Sequence, residues 1–357
     1  MTARVYDVVV VGGGPVGLVT ALHARQRGLD AVVIEARQDP IDKACGEGLM
    51  PSAVAALGRL GVTVAGREFL GITYLSADGS CAAAATFASG TGRGVRRETL
   101  QQTLSVRAEQ AGVVRVTARV VDLVQLPGHA HVVLADGGTV GGRYLVGADG
   151  LHSTVRRLVG QRPEARSQRK SNSRPARFGL RQHFGVRPWS DNVEVYWSNE
   201  AEAYVTPVGD ETVGVAVLGP RNGADLTTRL QSFPVLSERL HGATSTSALR
   251  GAGPLRQPVS RRVVGRTLLV GDAAGYVDAL TGEGLSIGFR SADALVDALA
   301  RDAPNDYEAE WRHITRRYRW LTQALVRCAQ QPRVRPGIVP LASAASPVFR
   351  LAVNSLA

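Results

Sequence analysis

The apolar pattern is densest at the start of the chain. Val8 to Val11 are four consecutive valines, a run that fits a strand buried on both faces. A helical stretch follows until Gly28 stops it, and the apolar run AVVI at 31–34 returns to strand before Glu35. A second helix is expected where Val54, Leu57 and Leu60 recur ahead of Gly61. Residues 69 to 88 read as strand, Asp78-Gly79 turn and strand, a hairpin leaving the first lobe. Leu100, Leu104, Val106 and Ala108 predict a third helix that Gly112 ends. VVRVTARVVDLVQL, HVVLADG and TVGGRYLVGADG then predict a short meander closing on another buried strand.

From about Phe178 the pattern alternates. FGLRQHFGV, NVEVYWS, EAYVTPVG and ETVGVAVLG predict an antiparallel sheet reaching about Leu249, with a short helix near LTTRLQSF. TLLVGDAAGYVDALTGEGLSIGFRSADALVDALA returns to strand, loop and helix, with Leu285, Phe289, Ala292, Val296 and Leu299 on one apolar face. The tail is expected to be helical to about Gln331. VRPGIVPLASAASPVFRLAVNSLA predicts a second short helix, docked on the protein, with a lipid surface as the alternative. The whole is an α/β chain of two lobes.

Composition narrows the class. The 357 residues suffice for two lobes and a large core. Cys45, Cys81 and Cys328 are odd in number and widely spaced, which offers neither a disulfide framework nor zinc-ligand spacing, and no metal is expected. No leader precedes the first strand and no apolar run has spanning length, so the expectation is a cytoplasmic protein. The net charge is +11, with arginines crowded between Arg156 and Arg181. No aromatic interleaving or nucleic-acid motif accompanies them, so they read as a solvated face; an acidic carrier protein, a membrane surface or the phosphates of a nicotinamide cofactor are the alternative partners.

Chemistry enters at the first turn. Gly12, Gly14 and Gly17 form G-x-G-x-x-G where a helix must begin. Gly12 permits the turn, Gly14 admits a pyrophosphate, Gly17 lets the helix lie close on the strand, and Glu35 stands where a ribose hydroxyl would be gripped. Gly46 and Gly48 would let the main chain pass close to a flat ring system.

Three separated pieces, the opening unit, GADG at 147–150 and VGDAAGYVDALTGEGL at 270–285, point to one cofactor. Together they resemble the FAD-binding oxidoreductases of the p-hydroxybenzoate hydroxylase type, including group A flavin monooxygenases, and their relatives the geranylgeranyl reductases. The resemblance spans nearly the whole chain. It implies a Rossmann-type FAD-binding domain (GR2-like), an inserted antiparallel β-sheet substrate domain and C-terminal helices. The expected division gives FAD-binding segments 1–68, 93–165 and 256–303, the hairpin 69–92, a substrate domain 166–255, and terminal helices 304–357. It also implies that Asp272 meets the ribityl chain and that the main chain of Gly282, Gly284 and Leu285 meets the isoalloxazine, where helix-start N–H groups stabilise reduced flavin. Arg97, with Arg96 as the alternative register, would stand near the pyrophosphate, followed by Gln101. Pro15, Ala36, Arg37, Val121 and Asp149 complete the implied contacts; Asp149 would equally cap the helix starting near Ser153.

Two departures bear on function. Ala279 and Ser286 stand where the monooxygenases carry proline and asparagine. CGEGL, with Cys45 placed near the flavin, resembles the geranylgeranyl reductases, yet their Y-x-W-x-F-P motif is reduced to Tyr204, Val205, Thr206 and Pro207. Dithiol flavin reductases are excluded, because Met50 stands where the second cysteine would be and no second G-x-G-x-x-G follows a strand. Candidate catalytic residues are Cys45, Glu283, His183 and Tyr196. The leading expectation is a monooxygenase that uses NADH or NADPH and O2 to hydroxylate an aromatic or polyketide-like substrate through a flavin C4a-hydroperoxide. The alternatives are a flavin reductase of prenyl or other alkene bonds and a non-catalytic FAD-binding protein.

Overall fold

The structure, a computed structural model, describes residues 5–161, 176–221, 223 and 225–355. The arginine-rich stretch therefore falls largely outside the described residues, since 162–175 are not among them. Two eight-stranded sheets form the body. In the first, Thr267–Leu269, Thr139–Gly147, Val5–Val11, Ala31–Glu35 and Val114–Thr117 lie side by side, all parallel. Val8, Val9 and Val10 are wholly buried at its centre, as their unbroken run requires. Helices Pro15–Gln26, Arg97–Gln110 and Gly284–Ala300 cover it, and Phe289, Ala292, Val296 and Leu299 bury the predicted apolar face of the last.

The second sheet contains Arg177–Gly185, Thr212–Pro220, Glu202–Gly209, Asn192–Trp197, Gly71–Ser76 and Ala82–Thr86 in that order. It is antiparallel except at one junction, where Gly71–Ser76 of the hairpin runs parallel to Asn192–Trp197. Strand parity divides its residues between two faces. Val195, Trp197 and Tyr204 pack with Leu280 of the glycine-rich 277–284 loop and with Ala329 and Val339 of the tail. Tyr196, Val205 and Val215 pack on the opposite side with Phe233 and Leu236 of the short helices there.

Three expectations change. VVRVTARVVDLVQL is not one meander: Val114–Thr117 takes the edge of the parallel sheet and only Val120–Leu126 enters the meander, with the Ala118 N–H donating to the Glu35 carbonyl at the break. Val106 is half exposed and off the apolar face of its helix, which Leu100, Leu104 and Ala108 make. The tail beyond Gln331 holds two short helices, Ile338–Ala344 and Ser346–Asn354.

Buried ions bind the sheet to the glycine-rich loop. Arg177 donates to Glu202 at 2.6 Å and to Asp278 at 2.9 Å, and Arg335 of the tail reaches the same Glu202 at 2.7 Å. Removing one member would leave a buried charge unpaired, at a cost of about 3–5 kcal/mol, so the network fixes the loop against the sheet.

Candidate active site

The opening glycines are forced by close approach. A Cβ on Gly12 would stand 2.5 Å from the Ala148 carbonyl oxygen, and one on Gly17 would stand 1.9 Å from that of Gly12. Gly14 differs, because a Cβ there would meet only Arg97 Nη2, at 3.4 Å. The helix beginning at Pro15 has no side-chain cap and no acid in its first turn, so its N–H groups face the cleft unanswered. The Nε of Arg97 is buried without a partner. An anion between this helix start and Arg97 would satisfy both. Arg96 Nε is buried without a partner as well, but Arg96 pairs with Glu98 at 3.0 Å, whereas Arg97 Nη2 is the group beside Gly14.

Glu35 accepts from the Gly13 N–H at 2.9 Å and from Arg37 Nε at 3.0 Å. Burial would raise its pKa, but the Arg37 and Gly13 hydrogen bonds hold it below the ordinary value. It is an ionised acceptor at the end of the second strand, where an adenosine ribose would be gripped. Ala36 follows it at the strand end, ahead of Arg37. Gln101 is completely buried, donates to Asp39 at 2.7 Å and accepts from the Ile41 N–H at 3.3 Å. Its contacts hold the 39–41 loop against the first turn.

Asp272 lies in a tight turn, Gly271–Ala274, whose carbonyls at 272 and 273 accept from Arg156. Burial raises the Asp272 pKa, opposed by Lys43, Arg97 and Arg156. Lys43 escaped the sequence reading. Its Nζ would stand 3.2 Å from a Cβ on Gly150, burial lowers its pKa, and Glu35 and Asp272 pull the other way. No motif marks this lysine; only the folded loop brings it between the two acids. Asp149 receives the N–H groups of Thr154 at 2.6 Å and Val155 at 3.1 Å, so it caps the helix Thr154–Leu158.

The third wall is the start of the helix Gly284–Ala300. Gly282 has φ +71°, and neither Glu283 nor any acid caps the helix, which leaves N–H groups at Gly284 and Leu285 available. Glu283 is buried with Oε1 unpartnered. Burial pushes its carboxyl up to about 8, against opposing effects of Ser286 and Arg290. A carboxylate there would cancel the positive helix end, whereas the neutral acid preserves it. Tyr276 lies 3.7 Å from a Cβ on Gly284, and a cavity bounded in part by Asp272, Tyr276, Gly284, Trp311 and Tyr318 runs beside the loop.

Cys45 belongs to the same cleft. Burial raises its thiol pKa, with Arg97 pulling it down and Glu47 pushing it up, and the thiol in turn acts on Tyr276. Gly46 has open space where a Cβ would go, and its carbonyl accepts from Thr206 at 2.7 Å. His183 does not face the cleft freely: it is buried, with Nε2 2.6 Å from Glu47 and Nδ1 2.8 Å from Ser247 Oγ. It positions the Cys45 loop. Tyr196 is a correction, because strand parity points it to the far face of the sheet, where its hydroxyl donates to Glu194 at 2.6 Å and accepts from Arg239 at 2.7 Å. Val121 has a side chain 45% exposed, while Val120 turns inward.

The residues present fit FAD: an uncapped helix start with an orphaned arginine for the pyrophosphate, an acid for the adenosine ribose, another for the ribityl chain, and a second open helix start for the ring. The comparisons agree. The chain is 31% identical over 327 residues to the menaquinone reductase of Mycobacterium tuberculosis, covering 84% of this chain and 79% of the relative. It is 24% identical over 345 residues to the digeranylgeranylglycerophospholipid reductase of Methanococcus vannielii, covering 90% and 85%. Its fold matches that of CmlS, a flavin-dependent halogenase, with a TM-score of 0.77 at 20% identity, over 88% of this chain and 62% of that one. That likeness speaks for the fold alone. The family profile described as FAD binding domain matches residues 5–305, and the chain belongs to that family as an FAD-dependent oxidoreductase.

Proposed function

We propose that the chain is a reductase that saturates a carbon–carbon double bond in a lipophilic, prenyl-bearing substrate, with NADH or NADPH as the ultimate reductant. The observation that carries this reading is the half-buried Cys45, whose sulfur accepts from the Glu47 N–H at 3.4 Å and whose thiol desolvation keeps protonated at neutral pH. FAD, when bound and reduced, supplies a hydride to one alkene carbon. Cys45 holds the proton that the other carbon needs, and its burial keeps that proton on sulfur until the substrate takes it. The apolar cluster of Trp197, Tyr204 and Leu280, with Tyr74 packed against it, keeps water from the loop behind the site. The names of the two curated relatives, one a reductase of menaquinone and one of a digeranylgeranylglycerophospholipid, support reduction of such a substrate.

Hydroxylation of an aromatic or polyketide-like molecule with O2 is the second reading. One observation favours it: the aromatic reductase motif is reduced to Tyr204–Pro207, and the Tyr204 hydroxyl is committed to the Leu280 carbonyl at 2.6 Å. The test is anaerobic. FAD-loaded protein, reduced and mixed with a prenylated quinone without O2, is expected to reoxidise and to yield a product that is still two hydrogens heavier after its ring has been reoxidised to the quinone, which places the added hydrogens on the prenyl chain. A product formed only with O2 and carrying ¹⁸O from ¹⁸O2 would replace the first reading with the second.

A further inference from the structure

The two terminal helices present an apolar face whose direction is fixed. On the inner side of Ser346–Asn354, Phe349 stacks on Tyr74 with ring centroids 4.9 Å apart, and Val353 packs among Met50, Phe69, Phe87 and Val193. Asn354 accepts from the Ala88 N–H at 2.6 Å and donates to the Thr86 carbonyl at 3.1 Å, which pins the helix end to the hairpin. Upstream, Arg335 is buried against Ser198 and Glu202, and Val339 is buried in the apolar cluster with Leu280. Large apolar side chains remain outside. Leu341 is 69% exposed, Val348 66% and Leu351 68%, and Val348 and Leu351 are one helical turn apart on the same side.

Charge singles out the occupant. Residues 311–357 contain no Asp or Glu and eight arginines, of which Arg333 and Arg350 are exposed, Arg350 directly before Leu351 in the chain. An apolar helix face flanked by arginine and free of acids suits the interface of an anionic bilayer, where the leucines enter the acyl boundary and the guanidinium groups meet lipid phosphates. No single helix among the described residues is long and apolar enough to cross a membrane; Arg335–Ala344 and Ser346–Asn354 reach that length and composition only together, and they are bent by 98° with their inner sides packed on the protein. That geometry fits lying on a surface.

We propose that the outer face of Ile338–Ala344 and Ser346–Asn354 rests on an anionic lipid bilayer. The inner sides of the same helices touch both the Met50 cluster, where Met50 Cε stands 3.2 Å from a Cβ on Gly282, and the Trp197–Leu280 cluster. A docked molecule would thus have its glycine-rich loop one apolar layer from the lipid, a route for a prenyl chain that rests on the reduction proposed above, while the docking itself does not.

The test uses the FAD-loaded full chain and vesicles of phosphatidylcholine with or without phosphatidylglycerol. The protein is expected to sediment with the anionic vesicles, less with the neutral ones, and less as salt rises. Leu341→Glu with Leu351→Glu should weaken that partitioning about tenfold or more while FAD content stays normal. Leu126→Glu, at another exposed apolar site 41% open to solvent, should leave it unchanged. The proposal is overturned if the unaltered protein ignores anionic vesicles or if the double variant binds as well as the parent. It is equally overturned if this face joins two copies of the chain, seen as a dimer that the double variant splits and that never sediments with lipid. Alkene reduction of a short, detergent-dispersed substrate, measured on the same variants, reports separately on the proposed reaction.

Discussion

His183 Nε2 stands 2.6 Å from Glu47 Oε2, and the pair joins the two lobes, since His183 lies on Arg177–Gly185 of the second sheet and Glu47 on the Cys45 loop of the first. Glu47 has φ +59°, accepts from the Arg97 N–H at 2.8 Å and has Arg181 within 3.8 Å. Arg181 is itself anchored on Asp42 and on the Lys43 carbonyl. One buried carboxylate thus orients Cys45, Lys43 and Arg97 together.

Glu47→Ala should therefore destabilise the protein by about 1–3 kcal/mol, because the buried His183 Nε2 and the Arg97 N–H lose their hydrogen-bond partner and Arg181 loses a nearby carboxylate. Glu47→Gln keeps the acceptor for Arg97 and should cost less. Thermal midpoints and FAD dissociation constants of both variants measure this. A loss of stability with undisturbed FAD binding would show that the network supports the lobes without setting the cleft.

Two neighbouring glycines should separate folding from cofactor binding. Gly14→Val should give soluble, folded, colourless protein, because a side chain there enters the anion's space and meets only the flexible end of Arg97. Gly17→Val should fail to fold, since its Cβ would stand 1.9 Å from a backbone oxygen. Flavin absorbance and circular dichroism distinguish the two; a Gly14→Val protein that stays yellow would place the pyrophosphate elsewhere.

The opening strand, turn, helix and acid were legible because each depends on local rules: an unbroken valine run, glycines where Cβ atoms collide, and an acid at the end of the next strand. Tyr196 was misread for a reason also local in origin. Its strand was recognised, but the choice of inward face needs the position of the other lobe, and parity then puts Tyr196 opposite Val195 and Trp197. Lys43 and Glu47 sit within a loop whose glycines drew the reading, and their roles arise from contacts with Gly150 and His183, far away in sequence. Val114–Thr117 was assigned to the meander because nothing in its alternation distinguishes a parallel edge strand from an antiparallel one.

Glu283 should make stability fall as pH rises. Its pKa moves from an ordinary 4.5 to about 8 on folding, so the folded state holds a proton that the unfolded state releases over that window. Its contribution is fully present below about 4.5, is lost between about 4.5 and about 8, and is flat beyond, with an upper bound of roughly 5 kcal/mol. Glu283→Gln carries no proton to lose. Its thermal midpoint should drop less than that of the parent between about pH 5 and about pH 9, and parallel curves would show that Glu283 is ionised in the folded protein.

Cys45→Ser separates the two readings of the reaction. Burial holds the thiol protonated, and serine preserves size and hydrogen bonding while being a far poorer acid than the thiol. If Cys45 gives the proton in alkene reduction, the variant should bind FAD normally yet lose a factor of about a hundred or more in the rate of product formation. If the product gains its oxygen from O2, the thiol has no proton to deliver, and the variant should keep at least about a tenth of the rate, a change in barrier near 1.4 kcal/mol. Product must be measured as well as NAD(P)H consumption, since reduced flavin also reacts with O2 unproductively. A solvent deuterium isotope effect seen in the parent and altered in Cys45→Ser would tie the loss to proton delivery. Full activity in anaerobic reduction by Cys45→Ser would move the proton donor to another group, of which Glu283, neutral up to about 8, stands at the start of the helix Gly284–Ala300.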